Sequence, residues 1–273
     1  MLPITELAKA KVNLNLHILG RRPDGYHELS SCVVFVDVAD VLSIEPAKVN
    51  ALEVFGPFAA DVPTGLSNSM WKAYSWLAAR MELPLVHVKL EKNLPVASGI
   101  GGGSADAAAM LRALLRLVEK TLSEDEITSL ATDLGADVPV CFRSQACLMQ
   151  GIGEKFSVLT EQLPPALVLV NPLVACSTAE VFKAMALKQG ELRAQPTKAD
   201  WRNDMTVAAI HVQPKIVNVL SALHKTDLFP VLMSGSGATC FGIARDFSEA
   251  EKTAVELAKL HPNWWIKAAR IVT

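Results

Sequence analysis

None of the five cysteines in this 273-residue sequence, Cys32, Cys141, Cys147, Cys176 and Cys240, pairs with another at CxxC spacing. An odd set lying mostly among apolar neighbours reads as reduced core thiols, against a disulfide framework or a zinc site. Long apolar runs are missing too. The stretch "ALVLVNPLVAC" (166–176) falls well short of the roughly 20 residues a membrane span needs. The opening "MLPITELAKAK" lacks a signal-peptide core and the Arg- and Ser-rich character of a transit peptide, so a cytoplasmic protein is expected. Nor does one sign of charge dominate: 26 Lys and Arg face 28 Asp and Glu without long runs. No nucleic-acid partner and no membrane partner is expected from that balance, although it leaves room for a local basic pocket.

What is present is globular: 51% apolar and 20% charged residues. The length suits two compact domains, and a change of pattern places the boundary near 155–165, giving 1–160 and 161–273. "KVNLNLHIL" alternates, with Val12, Leu14, Leu16 and Ile18 on one face and Asn13, Asn15 and His17 on the other. A turn at "RRPDGY" and further extended chain follow. "SNSMWKAYSWLAARME" (67–82) reads as a helix, and Asn68 is either its N-cap or a residue near a nucleotide base. "VHVKLEK" is a strand. After "SADAAAMLRALLRLVEKTL", a strong helix, Ser123 and Glu126 form a capping box and Gly135 a stop. "CFRSQACLMQGIGEKF" suggests a hairpin, "STAEVFKAMALKQ" a capped helix, and "LFPVLMSGSGATCFGIA" two strands about a glycine turn.

The densest signal is "PVASGIGGGSADAAAM" (95–110), with four glycines within positions 99–103. A strand, a glycine-rich turn and a helix start together make an anion site. The free N–H groups and the positive end of the helix dipole face the same place. Ser104 adds a hydroxyl, and Ala105, Ala107 and Ala108 keep the helix start slim. A tight turn with close packing would explain one or two glycines, but each further one costs about 0.5–1 kcal/mol where freedom is not needed. Familiar phosphate loops do not fit. No Lys follows the glycines as a Walker loop requires, and Ser104 stands where a dinucleotide fingerprint needs its third glycine.

At these residues the chain resembles the GHMP kinases, the group of galactokinase, homoserine, mevalonate and phosphomevalonate kinases. "PVASGIGGGSADAAA" is similar to their central motif, "AKVNLNLHILGRRPDGYHEL" (10–29) to the first and "SGSGATCF" (234–241) to the third. Within the family, "RRPDGYHEL", "GADVPVCF", "GIGEKF" and "STAEVF" resemble the branch whose acceptor is a cytidine-diphosphate-linked methylerythritol, in the non-mevalonate route to isoprenoid precursors. Many relatives carry more glycine where this chain has Ala97-Ser98. Both are small, so little effect is expected unless Ser98 must take a positive φ.

The resemblance implies an α+β, two-domain fold with ATP and acceptor meeting in an interdomain cleft. It implies transfer of the γ-phosphoryl group of ATP, with Mg²⁺, to the acceptor's C2 hydroxyl. Pro95, Val96, Ala97, Ser98, Gly99, Ile100, Gly101, Gly102, Gly103, Ser104 and Ala105 would bind ATP. Asp137, which the residues alone leave as either an N-cap or a base, takes the general-base role. Lys11, otherwise readable as an exposed strand lysine, is expected to keep that carboxylate ionised. Asn13 on the same face would meet the acceptor, as would Tyr26, His27 and Phe182 around the cytosine, although a Phe on an apolar helix face is usually core. The "SGSGAT" turn would lie beside the nucleotide. The magnesium ligands are not assigned. Two rivals stay in view: a family kinase for homoserine, mevalonate or a sugar, whose acceptors have no pyrimidine to stack, and a nucleotide-binding relative without catalysis.

Overall fold

The computed structural model describes residues 2–159, 162–193 and 200–272. Two compact units result, and neither is one continuous stretch: 2–10, 38–96 and 101–144 form the first, and 11–37, 97–100 and 145–272 the second.

In the first unit the last part of the long strand β3 (His27–Pro46) pairs antiparallel with β5 (Val86–Glu91), which pairs in parallel with β4 (Ala51–Phe55). Alternation fits a sheet with one covered face, since Val86, Val88 and Leu90 are buried while Lys89 is exposed. Helix α1 (Ser69–Ala78) starts at Asn68, whose side chain accepts from the Met70 N–H. The N-cap reading of Asn68 therefore holds. Helix α2 (Gly102–Leu117) is buried along Ala105–Leu111, and its alanines let α1 approach closely. Burial of the larger side chains Leu111, Leu114 and Leu115 contributes about 1.5–3 kcal/mol each.

Helix α3 (Glu124–Asp133) begins with the Ser123–Glu126 capping box read from the sequence. The short α4 (Val138–Arg143) follows, so the chain from Cys141 enters as helix before any hairpin begins. Arg112 of α2 fixes α4 and the first strand, β1 (Ile4–Asn13), together. Its guanidinium donates to Glu6, to the Leu7 carbonyl and to the Cys141 carbonyl, each at 2.8–2.9 Å. Planar, multiply bonded guanidinium is well suited to such a knot.

In the second unit β8 (Ala166–Asn171) is buried along its whole length between β11 (Trp265–Val272) and β10 (Cys240–Ala244), and β10 also pairs with β9 (Val231–Met233), all antiparallel. Helices α7 (Lys215–Leu223) and α8 (Phe247–Leu260) cover this sheet. The two strands about the glycine turn are thus β9 and β10. β2 (His17–Arg21) and β6 (Cys147–Gly151) pair with the first part of β3, and β7 (Lys155–Val158) with β6. Leu16 and Ile18 join the core of this unit beside Val168, Val170 and the α7 residues Ile216 and Val219. Helices α5 (Thr178–Met185) and α6 (Thr206–Val212) complete it.

Candidate active site

The glycine-rich turn follows β5 and ends in α2. Gly101 is the N-cap of α2 with φ +69°, and Gly99 has φ +78°. Left-handed backbone at both positions explains glycine there. Positive φ also falls on Ala97, at +51°, and not on Ser98. The first N–H groups of α2, unpaired by any helix's geometry, point from Gly102, Gly103 and Ser104 out of its start.

The "SGSGAT" turn lies backbone to backbone against the earlier part of the glycine turn. A Cβ on Gly99 would stand 2.6 Å from the carbonyl oxygens of Ser234 and Gly237, and one on Gly235 would stand 2.6 Å from the Gly99 carbonyl oxygen. The Ser234 hydroxyl donates to the Gly99 carbonyl at 3.0 Å, and the Thr239 N–H to the Ser98 carbonyl at 3.0 Å. Asn203 holds the turn from the other side, donating to the carbonyls of Met233 and Gly235 at 2.8 Å each. Sequence reading passed over Asn203; a lone Asn in "WRNDM" carries no periodic signal, and only its burial marks it.

Lys11 and Asn13 are 3% and 2% exposed, so Lys11 is no exposed strand lysine and this end of β1 is buried. The Lys11 Nζ donates to the Asn13 Oδ1 at 3.0 Å, and the Asn13 Nδ2 donates to the Ser31 hydroxyl at 2.7 Å. Ser31 in turn donates to the Asn15 carbonyl at 2.5 Å. That relay fixes which end of the Asn13 amide faces the ammonium. The Lys11 N–H also donates to the Ile100 carbonyl, so the strand is stitched to the glycine turn.

Asp137 opens α4 in the N-cap position, yet its side chain makes no capping bond. The helix start is set instead by Pro139 within its first two positions. Asp137 as a residue is half-buried.

His27 and Phe182 meet face to face, with ring centroids 4.3 Å apart and planes 18° apart. Burial and the Arg21 cation hold the His27 imidazole below its ordinary pKa, which favours the neutral ring. Tyr26 is 53% exposed, and its N–H is held by the Asp24 carboxylate in an Asx-type turn. Phe182 rides on α5, whose first residue Thr178 shares a 2.7 Å hydroxyl contact with Ser236 of the "SGSGAT" turn.

Residues 68–145 match the GHMP kinases N terminal domain and residues 181–263 the GHMP kinases C terminal domain. The chain belongs to the GHMP kinase family. Among this family's curated members, 4-diphosphocytidyl-2-C-methyl-D-erythritol kinase of Rhizobium etli is 41% identical, over 99% of this chain and 95% of its own. The Paramagnetospirillum magneticum enzyme of the same name is 43% identical over 97% and 98%. A solved GHMP kinase structure, 4-(cytidine 5'-diphospho)-2C-methyl-D-erythritol kinase, aligns with TM-score 0.79 and 30% identity over 98% of this chain and 99% of that one. The Cytophaga hutchinsonii homoserine kinase aligns at 0.71 with 14% identity over 98% and 95%, which shows the shared fold. As a GHMP kinase the protein is an ATP-dependent phosphotransferase, and the expected α+β GHMP fold with N- and C-terminal domains is the one observed. Among the described residues no helix is long and apolar enough to cross a membrane.

Proposed function

We propose that this GHMP kinase transfers the γ-phosphoryl group of ATP to the C2 hydroxyl of 4-(cytidine 5'-diphospho)-2-C-methyl-D-erythritol, giving the 2-phosphate and ADP. The reading places it in the cytoplasm, in non-mevalonate isoprenoid precursor biosynthesis. The observation that carries the acceptor is the ring pair His27–Phe182 at the "DGYHEL" turn, because homoserine or mevalonate offers no flat base for it. The Rhizobium etli and Paramagnetospirillum magneticum relatives are named as kinases of this compound.

In this reading Pro95 to Ala105 hold the nucleotide, with the N–H groups of Gly102, Gly103 and Ser104 on phosphate oxygens. The acceptor oxygen attacks the γ-phosphorus while the bond to the β,γ-bridging oxygen breaks, so the O–P bond formed replaces the one lost. Asp137 takes the hydroxyl proton, its carboxylate being uncommitted to capping the helix it opens. Lys11, oriented by Asn13, supplies fixed positive charge for the acceptor side, and Tyr26, His27 and Phe182 receive the cytosine. A tertiary alcohol is poorly acidic and hindered, so positioning and charge stabilisation carry most of the rate.

Magnesium fits as an ion carried by the nucleotide. Among the described residues no three His, Cys, Asp or Glu side chains gather to hold one. Mg²⁺ characteristically uses phosphate oxygens and water with few protein ligands. When bound it neutralises triphosphate charge.

The test is ADP release from ATP and magnesium with the cytidylated acceptor, methylerythritol phosphate, homoserine and mevalonate in parallel. Turnover with the cytidylated compound alone is expected. Turnover with homoserine or mevalonate would overturn the acceptor while leaving the family intact.

A further inference from the structure

Below the start of α2, in the first unit, lies a charged cluster that the reaction as described does not use. The Lys92 ammonium is 2% exposed and donates to Asp40 Oδ2 and Asp106 Oδ2, each at 2.6 Å. The other oxygen of Asp40 accepts from the N–H groups of Asn93 and Leu94, at 2.6 and 2.8 Å. Asp40 therefore accepts from three donors. Asp106 is 4% exposed, and its Oδ1 has no partner among the described residues. The ammonium reaches up to the helix start: a Cβ on Gly102 would stand 3.4 Å from Lys92 Nζ.

A buried ion cluster is a poor way to stabilise a fold. Apolar side chains of the same volume often do as well or better, and one unsatisfied oxygen adds a penalty. The placement gives the cluster another use. Lys92 sits where β5 ends and the glycine-rich turn begins, Asp40 is on β3, and Asp106 is on the first turns of α2. Helical side chains tilt toward the N-terminus, so the Asp106 carboxyl lies back toward Gly102. One ammonium thus ties the phosphate-facing end of the helix to two strands.

We propose that Lys92, pinned between Asp40 and Asp106, is a positioning residue for the nucleotide's phosphates, holding the Gly101–Ser104 end of the turn in its anion-binding form. The proposal rests on the reading that this turn binds ATP. The two carboxylates outweigh the burial of the amine, so Lys92 stays charged. Burial pushes the Asp106 carboxyl up to about 7, opposed by the Lys92 ammonium and helped by the Asp40 charge. Lys92 and Asp40 are the charged groups facing it. As pH rises through that range, Asp106 ionises and the cluster goes from neutral to singly negative. A negative charge beneath the turn weakens its hold on an anion, so the ATP KM rises with pH.

The experiment measures kcat and both KM values for wild type, Lys92→Met, Asp106→Asn and Gly103→Asp, with the cytidylated acceptor and saturating magnesium. Lys92→Met is expected to raise the ATP KM about tenfold or more while kcat and the acceptor KM stay within about threefold. A folded Lys92→Met with unchanged ATP KM, or with both KM values raised alike, overturns the proposal. Should that variant fail to fold, Asp106→Asn decides. It keeps an oxygen for Lys92 and removes the titration, so the rise in ATP KM expected for wild type between about pH 6 and 8 should vanish. A wild-type pH profile in Asp106→Asn overturns the proposal. Gly103→Asp separates the two readings. An acid at a helix start suits the dipole, yet it should repel phosphate and raise the ATP KM about tenfold or more. An unchanged ATP KM there refutes the glycine turn as the ATP site; a raised one, with Lys92→Met and Asp106→Asn like wild type, refutes Lys92 alone.

Discussion

The imidazole of His27 lies flat on the phenyl ring of Phe182, 4.3 Å between centroids. Aromatic partners stack at about 4.5–7 Å, and a third ring between two others needs the upper end of that range. A cytosine between these two rings therefore requires them to part. Either ring can also offer its outer face. In the proposed reading, in both cases, the pair contributes to the acceptor and nothing to ATP. Phe182→Ala is expected to raise the acceptor KM about 3–10-fold, from the stacking energy of such pairs, with the ATP KM unchanged. Steady-state kinetics with each substrate varied in turn checks this. Equal rises in both KM values would detach Phe182 from the acceptor.

Asp137 has the position of a helix cap without the bond of one. Asp137→Asn keeps the size and shape of the side chain, so the variant should still fold. As the general base its loss should lower kcat about 10²–10⁴-fold with the ATP KM nearly unchanged. Single-turnover phosphoryl transfer measures the chemical step directly. Wild-type-like transfer in a folded variant would end the assignment.

Gly99 and Gly103 belong to one motif but face opposite constraints. A methyl on Gly99 would meet two carbonyl oxygens at 2.6 Å on a backbone with φ +78°, whereas one on Gly103 would find only the Ser69 hydroxyl, at 3.8 Å. Gly99→Ala should destabilise by about 2–4 kcal/mol, lowering Tm by about 5–10 °C. Gly103→Ala, in helical backbone, should leave Tm the same or slightly raise it. Thermal melts of both variants decide. A Gly99→Ala protein that melts with wild type would mean the two glycine turns are not packed as described.

How much of this was legible in the sequence depended on distance along the chain. The glycine run before an alanine helix, the Ser123–Glu126 box and the Ser177 cap are local patterns, and each appears as read. The alternation of "KVNLNLHIL" told less. It separates an apolar from a polar face, yet both are buried, because Asn13 finds Ser31, 18 positions away. The cluster of Lys92, Asp40 and Asp106 spans 52 and 14 positions, and nothing periodic joins them. A carboxylate in "SADAAAM", inside an otherwise apolar helix stripe, was the one local hint. The sequence leaves the helix over 138–143 open, because Asp137 could begin one while a Pro and β-branched residues read equally well as extended chain.

His17, on the polar side of that alternation, gives the last prediction. It is 2% exposed, and neither ring nitrogen makes a well-formed hydrogen bond among the described residues, a weak contact with the Asp200 backbone apart. Burial and the Arg202 cation hold its pKa below the ordinary 6.5, with Asp204 and Asp200 pulling partly back. The folded protein thus keeps the ring neutral, while the unfolded chain protonates it near 6.5. The stability His17 permits is complete above that value and is lost as pH falls through the folded pKa. His27, shifted the same way, adds to the loss. His17→Phe keeps a flat ring, removes two poorly bonded nitrogens and cannot be protonated. Its stability at about pH 7.5 should match wild type within about 1 kcal/mol, the gain from the nitrogens offsetting any overpacking. Between about pH 6.5 and 5 it should lose less stability than wild type, the gap widening toward the acid end, because only the wild-type chain gains a proton at this position on unfolding. Urea midpoints at the two ends of that range measure it. Equal acid sensitivity in the variant would show that protonation of His17 is not what the folded state resists.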